Sequence, residues 1–329
     1  MKRRSVVCAA GSIVLPGSRL VRAQTPIKAW RIGIAHASRS MDFSGDPLLT
    51  EALRTLGYEE GRNIVFERRF TKGDNGAHGP VPKLLQELVK QRVDLILTIG
   101  DRQASAAKVA TSTIPIVMLH SDALVEIGVV ASLSRPGGNI TGVATAGVES
   151  AQKNLQLLHD TAPKAKHLGV LMDPDYSVTY LYKRAYQQAA TEMGCRLTVR
   201  YCHNTAALDA SLASMVKDGV EVIFVSGEGA VYPNRSRIIA FAAQHRLPAM
   251  YVHAQYVREG GLISRSPDEA ERNRRVAAII DRIIKGEKPA DIAVEQPTRF
   301  SIAINLKTAR AMGLKIPQSV LLQATEVIE

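Results

Sequence analysis

The amino-acid sequence predicts an α/β fold with two doubly wound parallel-sheet lobes joined by a multi-segment hinge. Its 329 residues are 46% hydrophobic and 22% charged, which is typical of globular proteins and sufficient for two compact cores. Short β-branched segments alternate with longer amphipathic segments, the pattern of βαβ units in a parallel sheet. This pattern restarts after residue 165, so the chain contains two copies of one architectural plan.

The first half alternates three predicted strands with two predicted helices. The strands are expected at 31–35, 64–68 and 95–99, each a short run containing isoleucine, leucine or valine. The helices are expected around 48–56 and 81–91, where apolar residues recur with helical spacing. This order predicts a parallel sheet that is covered by helices on both faces.

The second half repeats segments of the first at nearly constant spacing. Small differences in this spacing are those that loop insertions would produce. A repeat as long as a whole domain indicates a duplicated lobe rather than a solenoid. The matching pairs of segments are 31–38 with 167–174, 93–100 with 220–227, and 114–117 with 247–250.

The domain limits follow from the repeat and from breaks in the pattern. We expect a signal peptide at 1–23, an N-terminal lobe at 24–143 and a C-terminal lobe at 144–265. The boundary lies at 134–142, where a proline and three glycines interrupt the alternation. Residues 266–329 are expected to supply a crossover helix, a strand and a C-terminal helix. Because this tail has no counterpart in the first half, we expect part of it to complete the N-terminal lobe.

The first 23 residues have the three parts of a secretory signal peptide. A basic start at Lys2, Arg3 and Arg4 precedes an apolar stretch and the small residue Ala23. Cleavage after Ala23 places the mature chain in the periplasm, and the apolar stretch is too short for a stable membrane span. This segment carries basic but no acidic residues and accounts for part of the formal net charge of +11. The other basic residues are scattered, so we expect no nucleic-acid partner.

Two cysteines remain in the mature chain, Cys195 and Cys202, on either side of a predicted strand. An extended segment of this length holds its ends about 23 Å apart. A disulfide requires Cα atoms within about 7 Å. We therefore expect two free, mostly buried thiols.

Several segments, spread in order over nearly the whole mature chain, carry a family resemblance. The chain resembles the substrate-binding proteins of ABC transporters with the type 1 periplasmic binding fold, in the lineage that includes tryptophan-binding-protein-like members. This resemblance implies extracytoplasmic capture of a small organic solute and its delivery to an ABC permease in the inner membrane. The segments that carry it are 113–117, 129–142, 260–264 with 267–268, 285–291, 295–298 and 304–309.

The fold places a binding cleft at the carboxyl ends of the strands, where the loops of both lobes converge. In the first lobe, the candidate residues follow three strands. They are Ser38 and Phe43, then Gly100 and Asp101, then Ser121 and Asp122. Asp101 has an equally good interpretation as the cap of the following helix.

In the second lobe, polar and aromatic residues follow the equivalent strands. Asp175 and Ser177 have an alternative role as helix caps, whereas Tyr176 has no structural role that the sequence reveals. The segment 227–232 resembles a dinucleotide fingerprint only superficially, because it lacks the third glycine. The candidate residues are Asp173, Tyr176, Ser226, Glu228, Tyr232 and His253.

The chemistry of these loops favours an amine-bearing ligand such as an amino acid. Carboxylates at 101, 122, 173, 175 and 228 suit an ammonium group, and Arg102 or Arg265 suits a carboxylate. Phe43, Tyr176 or Tyr232 is expected to stack on an aromatic body. The loops 120–128 and 227–233 depart from the family pattern, so the identity of the ligand does not follow from the resemblance.

Motifs of enzymes are absent from the sequence. It contains no Gly-x-Ser-x-Gly elbow, P-loop, His-Glu-x-x-His or Cys-x-x-Cys, and its eight histidines are dispersed without metal-ligand spacing. We therefore predict a monomeric solute-binding component of an ABC importer that closes about its hinge, without catalytic residues, cofactor or metal ion. The alternatives are a ligand-sensing periplasmic subunit of a signalling receptor and, less favoured, a periplasmic enzyme.

Overall fold

The structure is a computed structural model that describes residues 28–36, 47–70, 81–227 and 229–329. Within these ranges two sheets form two lobes, so the predicted α/β fold is confirmed. None of the helices in these ranges combines the length and apolarity that crossing a membrane requires. The predictions that fall outside the described residues are the signal peptide at 1–23 and the candidate residues Ser38, Phe43 and Glu228.

The first lobe is built on a five-stranded sheet in which every strand pair is parallel. Its strands are β1 (Trp30–His36), β2 (Ile64–Phe70), β3 (Leu95–Thr98), β4 (Ile116–Met118) and β5 (Ile140–Gly142). Their order in the sheet is β2-β1-β3-β4-β5, so the carboxyl ends of β1, β3 and β4 are neighbours. The helices of this lobe are α1 (Pro47–Thr55), α2 (Val81–Lys90) and α3 (Asp101–Ala110).

The second lobe is built on a seven-stranded sheet. Its strands are β6 (His167–Met172), β7 (Arg196–Tyr201), β8 (Val222–Val225), β9 (Ala249–Tyr251), β10 (Ile263–Pro267), β11 (Phe300–Asn305) and β12 (Glu326–Ile328). Their order is β12-β11-β10-β9-β8-β6-β7, and the β10–β11 pair is antiparallel. The remaining helices, in chain order, are α4 (Gly147–Thr161), α5 (Thr179–Glu192), α6 (Thr205–Lys217), α7 (Arg235–Gln244), α8 (Ala254–Arg258), α9 (Glu269–Ile284), α10 (Leu306–Ala311) and α11 (Gln318–Leu321).

An interior strand of each sheet carries a glycine where a neighbouring segment packs closely. A Cβ atom at Gly33 of β1 would lie 3.1 Å from Leu88 Cδ1, and one at Gly169 of β6 would lie 2.8 Å from Val220 Cγ1. Both contacts are tighter than a well-packed core normally allows. Gly33 and Gly169 are each the third residue of the matching segments 31–38 and 167–174, so the repeated segment uses a glycine for the same close packing in each lobe.

The C-terminal tail divides between the two lobes. Helix α9 packs on the first lobe, where its Val276 and Ile280 share an apolar core with Leu53 of α1. Its N-terminus is capped by Asp268, whose side chain accepts a hydrogen bond from Glu271 N at 2.8 Å. Strands β11 and β12 instead extend the second sheet. The chain crosses between the lobes after β5, after β10 and before β11.

These crossing segments are hydrogen-bonded to one another and form the hinge. Ala144 N donates to the carbonyl of Glu295 at 2.8 Å, and Glu295 N donates to the carbonyl of Gly142 at 3.0 Å. The third segment joins through Asp268 N, which donates to the carbonyl of Arg299 at 3.0 Å. The multi-segment hinge expected from the sequence is therefore present.

Both cysteines of the described chain are free, as predicted. Cys195 is half-buried and Cys202 is fully buried. Burial raises the pKa of the Cys202 thiol to about 11, so this thiol is protonated at neutral pH.

Candidate functional site

The strands of both sheets end around one cavity of about 460 Å³, which we call the interlobe cleft. Its volume lies in the range of sites for small organic molecules. Loops after β3 and β4 form the wall of the first lobe, and loops after β6, β8 and β9 form the wall of the second. Of the predicted ligand-binding residues, those that line the cleft are Gly100, Asp101, Asp122, Asp173, Tyr176, Tyr232 and His253.

Two predicted residues, Ser121 and Ser226, are not among those that line the cleft. Ser121 is completely buried, and its hydroxyl donates to Asp101 Oδ1. Ser226 is buried, and its hydroxyl has no hydrogen-bond partner within the described ranges. Ser121 therefore orients a residue of the cleft, whereas ligand contact by Ser226 stays a prediction.

Asp101 is the first residue of α3 and is completely buried. Its side chain does not cap the helix, because Gly100 occupies the cap position with φ 83°, a conformation that favours glycine. Asp101 Oδ1 instead accepts hydrogen bonds from the Ser121 hydroxyl and from Asp122 N at 2.9 Å. These contacts hold a carboxylate at the wall of the cleft.

Asp122 follows β4 and lies beside Asp101, and we call the two residues the acidic pair. Its Oδ1 atom accepts a hydrogen bond from the Thr145 hydroxyl, and its Oδ2 atom accepts one from the Tyr182 hydroxyl at 2.8 Å. Burial and the charge of Asp101 raise the pKa of Asp122 above its usual value. A cationic group in the cleft would reverse this effect by stabilising both carboxylates.

Tyr176 reaches the acidic pair from the opposite lobe. Its hydroxyl lies 2.6 Å from Asp101 Oδ2 and 2.7 Å from Asp122 Oδ2. A phenol has one proton to donate, so it can satisfy only one of these contacts at a time. The other contact is favourable when one carboxyl of the acidic pair carries a proton, in keeping with the raised pKa of Asp122.

Asp173 stabilises the wall of the second lobe through hydrogen bonds to two loops. Its Oδ1 atom accepts from Asp175 N at 2.8 Å, and its Oδ2 atom accepts from Ala230 N at 2.9 Å. The second bond ties the loop after β6 to the loop after β8. The close approach requires Gly229, which has φ 54° and whose Cβ position is already occupied by the Asp173 carboxylate.

A row of aromatic rings leads away from the acidic pair. The ring centroids of Tyr176 and Tyr182 lie 6.5 Å apart, and Tyr182 stacks on Tyr186 at 6.0 Å. Tyr182 and Tyr186 line the cleft, although they are not among the residues predicted from the sequence. They are four residues apart on α5, a spacing that equally predicts burial in a helix core. We call these three residues the tyrosine row.

Imidazoles and one guanidinium line another side of the cleft. His36, His120, His253 and Arg272 all face it, and only His253 was predicted. Burial, followed by the charge of Arg272, lowers the pKa of His120 to about 3 and that of His253 to about 4. Both imidazoles are therefore neutral hydrogen-bonding groups at neutral pH.

The two arginines expected to suit a carboxylate differ in position. Arg102 lines the cleft but is exposed on α3. Arg265 of β10 is half-buried, and its guanidinium stacks over the ring of Phe300 at 3.8 Å from the centroid. Its Nη1 atom donates to Asn154 Oδ1 of α4 at 2.8 Å. Burial lowers the pKa of Arg265 below its usual value.

Within the described residues there is no group of three or more His, Cys, Asp or Glu side chains that could hold a metal ion. The side chains of the cleft offer carboxylates, phenols, imidazoles and guanidinium groups around a solute-sized space. Two lobes with a hinge and such a cleft define a class of protein, the bilobal receptors of small solutes.

The family model described as ABC transporter substrate binding protein matches residues 32–328. The chain belongs to this family, which confirms the resemblance found in the sequence. It is 24% identical over 265 residues to the tyrosine-binding protein of Clostridioides difficile strain R20291, across 80% of this chain and 75% of that protein.

Solved structures show the same fold. A conserved domain protein from Vibrio cholerae has a TM-score of 0.81 at 22% identity, over 91% of this chain and 100% of that chain. The ABC domain from Streptococcus pneumonia in complex with L-Trp has a TM-score of 0.79 at 23% identity, over 92% of this chain and 100% of that one. The ligand-free, open structure of a substrate-binding protein with adhesive properties from Clostridium difficile has a TM-score of 0.67 at 21% identity, over 92% and 99%.

Proposed function

We propose that this chain is the extracytoplasmic receptor of an ABC importer and captures an aromatic L-amino acid in the interlobe cleft. Membership of the substrate-binding family supports the receptor role. The relatives named for tyrosine binding and solved with L-Trp support the class of solute. The basic and apolar N-terminal segment of the sequence supports export from the cytoplasm.

The observation that carries the proposal is the acidic pair at the start of the tyrosine row. Two neighbouring carboxylates in a sheltered site repel each other unless a proton or a cation neutralises them. The ammonium group of an amino acid would supply this positive charge and would donate hydrogen bonds to the carboxylates. The rings of Tyr182 and Tyr186 would then lie beside the aromatic body of the solute.

Closure of the cleft follows from contacts made by both lobes. Asp101 and Asp122 belong to the first lobe, whereas Tyr176 and Tyr182 belong to the second. A ligand that contacts both groups binds the closed form better than the open form and shifts the population towards it. The hydrogen-bonded hinge segments would guide this motion, and the closed form would be the one that the permease recognises.

The role as a receptor requires that the solute leaves unchanged. We therefore propose that the carboxylates of the cleft bind and do not catalyse. Mass spectrometry of the solute recovered after incubation tests this point, and a chemically altered product would assign an enzymatic role instead. Loss of amino-acid uptake after deletion of the gene would support the importer, whereas uptake that persists would favour a sensing role.

The class of solute is tested by isothermal titration calorimetry with L-tyrosine, L-tryptophan and 3-(4-hydroxyphenyl)propionate, which lacks the amine. We expect the amino acids to bind at least tenfold more tightly than the compound without the amine. Asp101→Asn should remove most of this preference. Asp209→Asn is the matched control, because Asp209 pairs with Arg237 on the surface of α6 and α7 at 2.6 Å. Equal affinity for the compounds with and without an amine would contradict the proposal.

A further inference from the structure

Arg265 is a cation inside the cleft that lacks a counter-charge within the described residues. Its side chain makes one hydrogen bond, from Nη1 to Asn154 Oδ1 at 2.8 Å, and stacks on Phe300. Burial alone accounts for its lowered pKa, without the opposing effect of a neighbouring carboxylate. An arginine that leaves water normally gains a carboxylate or phosphate partner.

Another arginine of this chain illustrates the contrast. Arg275 of α9 has a side chain that is 27% exposed and pairs with both Glu271 and Glu295 at 2.7 Å. Its partners raise the pKa of Arg275, whereas the pKa of Arg265 is lowered. The positive charge of Arg265 is therefore available to a molecule that enters the cleft.

We infer that Arg265 binds the carboxylate of the solute, with Asn154 and Phe300 as the groups that hold its guanidinium in place. Stacking on Phe300 fixes the plane of the guanidinium, and the bond to Asn154 fixes its rotation. The edge formed by Nε and Nη2 makes no hydrogen bond within the described residues. Two parallel N–H groups on this edge match the geometry of a carboxylate.

Helix α4 lies beside both this cation and the acidic pair. Gly147 lies beside Asp122 and Asn154 lies beside Arg265, and both line the cleft on one face of the helix. Seven residues of helix span about 10 Å. The acidic pair and Arg265 therefore lie along the same face of α4, where one solute can make a charge-assisted contact with each.

This arrangement selects a class of solute. It suits a zwitterion, which carries both an ammonium group and a carboxylate group. An amine without an acid would leave Arg265 uncompensated, and an acid without an amine would leave the acidic pair uncompensated. The inference rests on the proposed role of the cleft, and it adds the second charged contact and the residue that makes it.

The test compares each acid with its amide, because the amide removes the negative charge and keeps the rest of the molecule. Calorimetry of the unaltered protein with L-tyrosine and L-tyrosinamide, and with 3-(4-hydroxyphenyl)propionate and its amide, should show tighter binding of the acid in each pair. Arg265→Met should weaken the binding of L-tyrosine at least tenfold and the binding of L-tyrosinamide less than threefold. The affinity of Arg265→Lys for L-tyrosine should lie between those of the wild type and Arg265→Met, because lysine keeps the charge but loses the planar arrangement of N–H donors. Arg237→Met on the surface is the control.

The acid and amide pairs separate this inference from the proposed function. A protein that prefers acids over amides but ignores the amine would support Arg265 as the carboxylate site and would overturn the amino-acid assignment. A protein that binds amines but does not prefer acids over amides would support the acidic pair as the ammonium site and would overturn Arg265 as the carboxylate site. Unaltered affinity for L-tyrosine in Arg265→Met overturns the inference, as does a wild-type protein that binds none of these acids. Circular dichroism shows whether Arg265→Met is folded, and the comparison in the unaltered protein does not depend on that variant.

Discussion

The hydroxyl of Tyr176 lies 2.6 Å from Asp101 Oδ2, and this contact joins the loop after β6 in one lobe to the start of α3 in the other. A hydrogen bond to a charged group is stronger than one between neutral groups. Because the partners belong to different lobes, separation of the lobes would break this bond. We therefore expect Tyr176 to stabilise the closed form relative to the open form.

Replacement of Tyr176 by phenylalanine should destabilise the closed form. The variant keeps the ring and loses the hydroxyl that contacts the acidic pair. We expect dissociation of bound L-tyrosine to become about tenfold faster, which stopped-flow fluorescence measures. Tyr180→Phe is the control, since Tyr180 is 62% exposed on the same helix as Tyr182. A dissociation rate that is the same in both variants would show that the Tyr176 hydroxyl does not contribute to closure.

Binding of an amine should release a proton from the acidic pair. Burial and the charge of Asp101 raise the pKa of Asp122, and an ammonium group nearby lowers it again. Calorimetric titrations of L-tyrosine in buffers of different ionisation enthalpy should therefore show proton release at pH values where Asp122 is protonated in the ligand-free protein, and affinity should rise as the pH is raised through its pKa. Asp122→Asn should abolish the release. A binding enthalpy that does not depend on the buffer would contradict this assignment.

Asp122 should also make the stability of the ligand-free protein depend on pH. This stability should decrease as the pH rises, whereas the affinity for the ligand should increase. A carboxyl whose pKa is raised in the folded state binds its proton more tightly there than in the unfolded chain. Its favourable contribution is present at low pH and is lost as the pH rises through the raised pKa. The free energy of unfolding in urea should accordingly fall with rising pH by a larger amount in the wild type than in Asp122→Asn. Parallel curves for the two proteins would exclude this role.

His120 and His253 should produce acid destabilisation. Burial and the charge of Arg272 lower the pKa values of these residues to about 3 and about 4. An imidazole with a lowered pKa in the folded state contributes stability that is present above its ordinary value near 6.5 and is lost as the pH falls towards 4. The variant with His120→Gln and His253→Gln should lose less stability over this range than the wild type, as measured by urea unfolding at pH 7 and pH 4.5. His245→Gln is the control, because His245 lies at the C-terminal end of α7 and is not among the residues that line the cleft.

Much of the fold and part of the site could be predicted from the sequence, for identifiable physical reasons. The alternation of strands and helices determines which loops end at the cleft, so the sequence predicts Asp101, Asp122 and Tyr176, which follow strands, as residues of the cleft. The antiparallel direction of β11 could not be predicted from the sequence, because strand direction depends on how the tail packs in three dimensions. Tyr182 and Tyr186 were missed because tyrosines at helical spacing equally predict a helix core.

Substitution of Gly229 should show how tightly the loops of the second lobe are coupled. Gly229 has φ 54°, and the position of its Cβ atom is occupied by the carboxylate of Asp173, which also accepts a hydrogen bond from Ala230 N at 2.9 Å. Gly194→Ala is the matched control, because Gly194 has φ 64° with nothing within 4 Å of its Cβ position. The control should lose about 1 kcal/mol from backbone strain alone. Gly229→Ala should lose more in urea unfolding and should also weaken ligand binding, because relief of the clash displaces Asp173 from the wall of the cleft. Equal losses in the two variants would mean that the loop adjusts without moving Asp173.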